Sequence, residues 1–239
     1  MARPEGLEPP AYWFEASRSI RLSYGRVTCN DITWLLSYVS MANANLETEI
    51  KLRIDSLPEI LDRLARQGFE VAHPEVFEQN ELFDTEGTSL RNRSCLLRIR
   101  RAGSACLVTF KGPPIPGAYK VREELEYTVS DPDQARAVFE RLGYHRTFRY
   151  EKYRTEYVAP GLPAIVTVDC TPIGNYLEIE ADAYTIDQVA CRLGYSPADY
   201  ITASYGTLFR EYCKLNNSHS SDMVFPAATS TGSTAGKKA

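Results

Sequence analysis

The sequence predicts an α+β fold in which antiparallel strands, each charged on one face, alternate with a few helices. Three observations lead there. Seven segments alternate polar and apolar residues with period two, as strands with one buried face do. Short stretches of helical spacing stand between them, three of which end in a glycine followed by an aromatic residue. The charges also recur as doublets on successive strands: Glu-x-Glu, Arg-x-Arg, Lys-x-Arg.

Residues 45–54 form the first strand, with Glu47, Glu49, Lys51 and Arg53 on one face and Leu46, Thr48, Ile50, Leu52 and Ile54 on the other. Ser56-Leu-Pro-Glu59 has the spacing of a capping box and opens a helix with Ile60, Leu61 and Leu64 inward, stopping at Gly68. Residues 96–100 set Arg98 and Arg100 against Leu97 and Ile99, and residues 106–111 set Thr109 and Lys111 against Val108 and Phe110. Gly112-Pro-Pro-Ile-Pro-Gly117 is a stiff loop between strands. Residues 120–129 align Lys120, Arg122, Glu124 and Glu126 opposite Val121, Leu125 and Tyr127.

Asp131 opens a second helix, with Ala135, Val138, Phe139 and Leu142 inward, that ends at Gly143. Residues 150–158 align Lys152, Arg154 and Glu156, residues 165–170 place Asp169 with Thr167, and residues 176–181 set Glu178 and Glu180 opposite Leu177 and Ile179. A third helix runs from Thr185 through Val189 and Leu193 to Gly194, and a fourth begins at Ser196-Pro197 and carries Ile201, Leu208 and Phe209. Gly68-Phe69 and Gly143-Tyr144 are each followed by strands, so a strand–helix–strands unit occurs twice and an internal duplication is expected.

The 239 residues carry a net charge of −4, which argues against a general nucleic-acid binder. No apolar run approaches the roughly 18 residues of a membrane span. The six cysteines form no Cys-x-x-Cys pair and no signal peptide is visible, so reduced thiols and a cytoplasmic location are expected. His73, His145 and His219 are too scattered for a zinc site. Residues 1–40 lack strand or helix period and resemble a peptide translated in error from a tRNA-gene region. They read as non-native or disordered, with Met41 an alternative start and a genuine extension the other reading. Residues 41–215 hold the folded domain, and 216–239, rich in Ser, Thr, Ala and Gly, read as a flexible tail.

A single strand of this kind is an ordinary wet face of an antiparallel sheet. Seven of them, with charge at fixed spacing, are harder to explain that way. If the strands close into a barrel with the charged faces inward, so many ionised groups need partners. Arginines and lysines would hold a polyanion and carboxylates would hold hard divalent cations. A triphosphate with Mg²⁺ or Mn²⁺ meets both demands.

Glu47-Thr-Glu49-Ile-Lys51 matches the E-x-E-x-K signature of the CYTH superfamily, the triphosphate tunnel metalloenzymes. The resemblance extends over residues 46–214 through Leu97-Arg98-Ile99-Arg100, Thr109-Phe-Lys111, Arg122-x-Glu124-x-Glu126, Lys152-x-Arg154, Val168-Asp169, Glu178-Ile-Glu180 and Ser204-Tyr205. It implies an eight-stranded antiparallel β-barrel tunnel with helices packed outside. It implies that Lys51, Arg98, Arg100, Lys111, Arg122, Lys152 and Arg154 bind the triphosphate. Metal falls to Glu47, Glu49, Glu178 and Glu180, with Asp169 and Glu126 nearby and Glu124 a further candidate. Lys111 takes the catalytic role of positioning or activating water, and Lys214 is either a lysine that closes one tunnel mouth over phosphate or, the better reading, a plain surface lysine. The sequence departs from the D-x-Y-F-D segment of many class IV adenylyl cyclases, reading Asn80-Glu-Leu-Phe83-Asp84.

The activity expected is divalent-metal-dependent hydrolysis of inorganic or organic triphosphates, since it needs only the cage. The alternatives are a class IV adenylyl cyclase making cyclic AMP and pyrophosphate, and a non-catalytic triphosphate or polyphosphate binder. The partner is a small-molecule triphosphate (ATP, inorganic triphosphate or thiamine triphosphate), with no nucleic acid or membrane, and a homodimer is the assembly considered.

Overall fold

The computed structural model describes residues 46–226, so the expectations for residues 1–40 and for the end of the tail lie outside the described residues. Eight strands form one closed antiparallel barrel: β1 (Leu46–Ile54), β2 (Glu70–Thr85), β3 (Leu96–Ala102), β4 (Ala105–Lys111), β5 (Lys120–Thr128), β6 (Tyr144–Ala159), β7 (Leu162–Thr171) and β8 (Gly174–Glu180). Their order around the barrel is β1-β5-β4-β3-β2-β6-β7-β8. Exchanging each strand of the first four for its counterpart in the second four (β1 for β5, and so on) leaves that order unchanged. The expected duplication is thus matched by the topology.

Among the described residues five helices decorate the barrel: α1 (Leu57–Arg66), α2 (Ser89–Asn92), α3 (Pro132–Arg141), α4 (Ala183–Arg192) and α5 (Tyr205–Leu215). None of the described helices is long and apolar enough to cross a membrane. Gly68 and Gly143 follow α1 and α3 with φ of +78° and +86° and open space around the missing Cβ. The left-handed backbone, not crowding, calls for glycine there. Asp131 caps α3 through the Asp133 and Gln134 amides, but the Ser56 side chain makes no such bond at the start of α1. Here the capping-box spacing predicted a helix start without the cap itself.

The main apolar core lies outside the barrel. Ile50, Leu52 and Ile54 leave β1 on the face opposite its charges and pack with Val166, Leu177 and Ile179 against Ile60 and Leu64 of α1 and Ile186 and Val189 of α4. Phe83, Ile99 and Val108 form a smaller cluster under Ala135 and Phe139 of α3. This burial fixes strand register, because a one-residue slip would move every apolar side chain of β1 into the tunnel.

Two expectations fail in instructive ways. The fourth helix does not run from Ser196; Pro197–Asp199 is a single 3₁₀ turn and α5 starts only after Ser204. Between them Ile201 exchanges backbone hydrogen bonds with Lys51, at 3.0 and 2.9 Å, and this bridge to β1 interrupts the helix. Residues 216–226, read as part of a flexible tail, are docked on β6. Met223 is fully buried against Tyr150, Tyr205 and Phe209. Its N–H donates to the Arg149 carbonyl and its carbonyl accepts from the Glu151 N–H, both at 2.9 Å. Asp222 accepts from the Arg149 N–H at 2.8 Å and from Arg146 at 2.9 Å. The strap takes up part of β6 that β7, which pairs with it only from Tyr153 onward, leaves free.

Candidate active site

The inward face of the barrel surrounds a cavity of about 400 Å³. Period-two alternation delivers the side chains to it: Glu47, Glu49 and Lys51 from β1, Arg98 and Arg100 from β3, Lys111 from β4, Lys120, Arg122, Glu124 and Glu126 from β5, Lys152 and Arg154 from β6, Glu178 and Glu180 from β8. Every expected site residue lines this cavity except Asp169 and Lys214. Arg53, which shares the charged face of β1, does not reach it; its guanidinium lies 5.7 Å from the Tyr176 ring centre and donates to the Tyr176 hydroxyl at 3.3 Å.

The charges are interleaved. Lys51 sits between Glu49 at 3.3 Å and Glu178 at 3.1 Å. Lys111 is held by Glu47 and, at 2.7 Å, by Glu124. Burial opposes the charge on Glu49, but Lys51 and Lys120 outweigh it and hold the carboxyl far below the usual range. At the same end of the tunnel the balance reverses. Burial, a hydrogen bond with Glu124 and the charge of Glu49 lift Glu47 to about 7. Desolvation at the rim, with Glu47 and Glu49 beside it, lifts Glu180 to about 7 as well. Carboxylates are crowded there beyond what the lysines neutralise.

That surplus is the test of whether a divalent cation fits. Glu47, Glu49 and Glu180 offer hard oxygen donors, the ligand type Mg²⁺ and Mn²⁺ take, and Glu180, unlike the other two, makes no ion pair among the described residues. Among the described residues no three metal-ligating side chains already stand at coordination spacing, and Glu47 and Glu49 are held by lysines. The donor chemistry fits, with lysine–carboxylate pairs that must open for an ion to enter.

Other residues play parts the sequence did not separate. Asp169 is wholly buried behind the wall and accepts from Lys152 at 2.9 Å, Arg154 at 2.7 and 2.6 Å, and the Tyr205 hydroxyl at 2.6 Å. Arg122 spends its donors on the carbonyls of Gly112, Ser94 and Lys111, at 2.8, 3.0 and 3.3 Å. Arg98 donates to Thr109 at 3.0 Å and to the Tyr150 hydroxyl at 3.3 Å. Lys120 stood in the charged row of its strand but was not singled out; it pairs with Glu49, and burial with repulsion from Lys51 draws it down to about 8. Glu78 was missed altogether. It is buried beside Lys152 at 3.6 Å and Arg100 at 3.8 Å, which draw it down to about 2 against its burial. Its Oε2 and the Nδ2 of buried Asn80 have no hydrogen-bond partner. Lys214 lies away from the tunnel, on a neighbouring cavity.

Residues 45–205 match the family described as CYTH domain. Adenylate cyclase CyaB of Aeromonas hydrophila is 29% identical over 184 residues, covering 72% of this chain and 92% of that protein. A Methanocaldococcus jannaschii protein named as a candidate adenylate cyclase is 29% identical over 143 residues, covering 60% of this chain and 81% of its own. A solved Vibrio parahaemolyticus structure, also named a candidate adenylate cyclase, superposes with a TM-score of 0.61 at 20% identity over 70% of this chain and 98% of that one. This last likeness concerns the fold alone.

Proposed function

The chain belongs to the CYTH domain family, and we propose that it is a divalent-metal-dependent enzyme that hydrolyses a triphosphate inside the tunnel. The observation that carries this reading is the lining itself. Eight cationic side chains and six carboxylates face one cavity, whereas an anion-binding module needs the bases and few of the acids.

In this reading Lys51, Arg98, Arg100, Lys111, Lys152 and Arg154 take the phosphoryl oxygens, with charge-assisted bonds that strengthen as negative charge develops. Arg122 gives its Nε and Nη2 donors to backbone carbonyls, so it contributes more through charge than through hydrogen bonds. Glu47, Glu49 and Glu180 hold the cation, with Glu178, Glu126 and Glu124 close by on the wall. Bound Mg²⁺ or Mn²⁺ supplies neutralisation of charge on the transferring phosphoryl group. Asp169 acts as a positioning residue that fixes Lys152 and Arg154, because its oxygens are already occupied. Lys111, between Glu47 and Glu124, is placed to orient a water toward the terminal phosphorus. Water attacks the terminal phosphorus in line, the bond to the bridging oxygen breaks, the diphosphate part departs with that oxygen, and orthophosphate is released.

The names of the two curated relatives favour a second reading, cyclisation of ATP. There the 3′-hydroxyl attacks the α-phosphorus and pyrophosphate departs from the same cage. One assay separates the readings. The full-length protein is incubated with ATP, inorganic triphosphate or thiamine triphosphate and Mg²⁺ or Mn²⁺, and phosphate, pyrophosphate and cyclic AMP are quantified. Metal-dependent phosphate release is expected. Cyclic AMP with equimolar pyrophosphate replaces hydrolysis with cyclisation, and no product from any substrate removes the enzyme reading.

A further inference from the structure

The strap of residues 216–226 lies beyond residues 45–205, the part of the chain that matches the CYTH domain family, yet it is fastened to the tunnel wall. Its bonds to β6 straddle a single residue. Asp222 accepts from the Arg149 N–H at 2.8 Å, and Met223 exchanges backbone bonds with the Arg149 carbonyl and the Glu151 N–H at 2.9 Å. Between them stands Tyr150, whose side chain lines the tunnel. Past Met223 the Phe225 N–H donates to the Glu151 carboxylate at 3.1 Å, and the Phe225 ring lies 5.2 Å from that of Tyr153. Because β7 pairs with β6 only from Tyr153 onward, it is the strap and not a barrel strand that meets the backbone on either side of Tyr150.

The Met223 side chain reaches the tunnel through two tyrosines. It is buried with Tyr150 and Tyr205, whose ring centres are 6.0 Å apart and which both line the cavity. The Tyr150 hydroxyl accepts from Arg98 at 3.3 Å, and Thr109 holds the same guanidinium at 3.0 Å. The Tyr205 ring centre lies 5.3 Å from the Nζ of both Lys51 and Lys152, within cation–π range. Its hydroxyl donates at 2.6 Å to Asp169, the carboxylate that holds Lys152 and Arg154. Arg98, Lys51, Lys152 and Arg154 all bind phosphoryl oxygens in the proposed function. Removing the thioether side chain leaves a void beside both rings, into which they can shift. A displacement of about 1 Å at groups that position a substrate can cost about a hundredfold.

We propose that Asp222 and Met223 are positioning residues of the tunnel, setting Tyr150 and Tyr205 and through them the cations that hold the anion. Asp222 fixes the strap to the β6 backbone, and Met223 wedges the two rings against Arg98, Lys51 and Lys152. The site is then completed by a segment that follows the family match rather than by the barrel alone. The inference rests on the triphosphate reading above, and holds for either hydrolysis or cyclisation.

The test measures Kd for inorganic triphosphate by calorimetry on full-length proteins, at a temperature where circular dichroism shows each to be folded. Met223→Ala and Asp222→Ala are each expected to weaken binding about tenfold. Met223→Leu refills the space with a side chain of similar volume and should bind within about twofold of wild type. Ile186→Ala opens a comparable void at a fully buried residue of α4 in the core outside the barrel, and should leave Kd unchanged. That control separates positioning from lost stability, since both voids destabilise and only one lies behind the tunnel's tyrosines. If Met223→Ala does not fold, Asp222→Ala, at a half-buried side chain, decides the question. Wild-type affinity in the folded strap variants, an equal loss in Ile186→Ala, or no recovery in Met223→Leu overturns the proposal and leaves the triphosphate reading standing. A wild type that binds no inorganic triphosphate sinks both.

Discussion

Asp169→Asn tests the idea that the wall behind the tunnel is a charge-balanced scaffold. The substitution keeps the shape of the side chain and removes one charge from a position with no solvent exposure. Lys152 would keep only Glu78, at 3.6 Å, and Arg154 would keep Glu178. An amide N–H₂ would face groups that need an acceptor. Breaking a buried ion pair from one side costs about 3–5 kcal/mol; asparagine retains one acceptor oxygen, so the lower end, about 3 kcal/mol, is expected. At roughly 2–4 °C per kcal/mol for a chain of this size, the melting temperature should fall by about 6–12 °C. Thermal melts of the full-length protein measure this, with and without inorganic triphosphate in metal-free buffer. The anion should restore more stability to the variant than to the wild type, because it supplies the missing negative charge. A loss under about 1 kcal/mol, or equal restoration in both proteins, would refute the scaffold argument.

Glu180→Gln and Glu49→Gln should both abolish metal-dependent turnover, yet differ in stability. The Glu180 carboxyl is raised to about 7 from 4.5, so its ionisation weakens the fold as pH climbs through that window. In metal-free buffer Glu180→Gln should raise the melting temperature above about pH 7 and leave it unchanged below 4.5, whereas Glu49→Gln should lower it at neutral pH. Arg100→Ala removes a tunnel cation and should weaken triphosphate binding by about 1.5–3 kcal/mol, roughly ten- to hundred-fold by calorimetry. Asp84→Ala leaves the N–H of Thr85 at the end of β2 and those of Leu90 and Arg91 in α2 without their acceptor, for a loss of about 1–3 kcal/mol in urea melts. Against its burial, those amides hold the Asp84 carboxyl below 3.8. Its contribution is full above that pH and fades in acid, so the gap between variant and wild type should close as pH falls. Met223→Ala should cost about 2–5 kcal/mol, and a neutral outcome would mean the strap does not hold β6.

Seven of the eight strands were legible because one face of each is ionic and the other apolar, the pattern on which register depends. The strand that alternation did not reveal, β2, is the long one. Pro74 lies within it, and its pairing with β6 shifts register near Val71, His73 and Val76 and again at Leu82 and Phe83, so no single period runs through Glu70–Thr85. The helix mistaken at Ser196 failed for a different reason. Ile201 has helical spacing to Leu208, but a backbone bridge to Lys51 is a long-range event that no local spacing reports. Met223 is similar: a lone methionine in a run of Ser and Thr reads as tail until the free stretch of β6 is known.

The candidate site was legible as a set of residues but not as a set of pairings. Alternation says which side chains enter the tunnel; it does not say that Lys111 joins Glu47 to Glu124, or that Asp169 is sealed behind Lys152 and Arg154. Nor could it place Glu78, whose strand had no clear period. These pairings decide the chemistry. The lining brings eight cations against six carboxylates, and buried Glu78 and Asp169 even the count from behind. By formal charge the wall is thereby balanced within itself, which is how so many ions remain inside a folded barrel. A polyanion that draws Lys51 and Lys111 to itself leaves Glu47, Glu49 and Glu178 short of partners, and a divalent cation is the simplest species that restores them. If the proposed function holds, each ligand would lower the cost of admitting the other, and by thermodynamic reciprocity the two affinities would rise together. A tunnel lined only by arginine and lysine would bind the anion and have no such dependence.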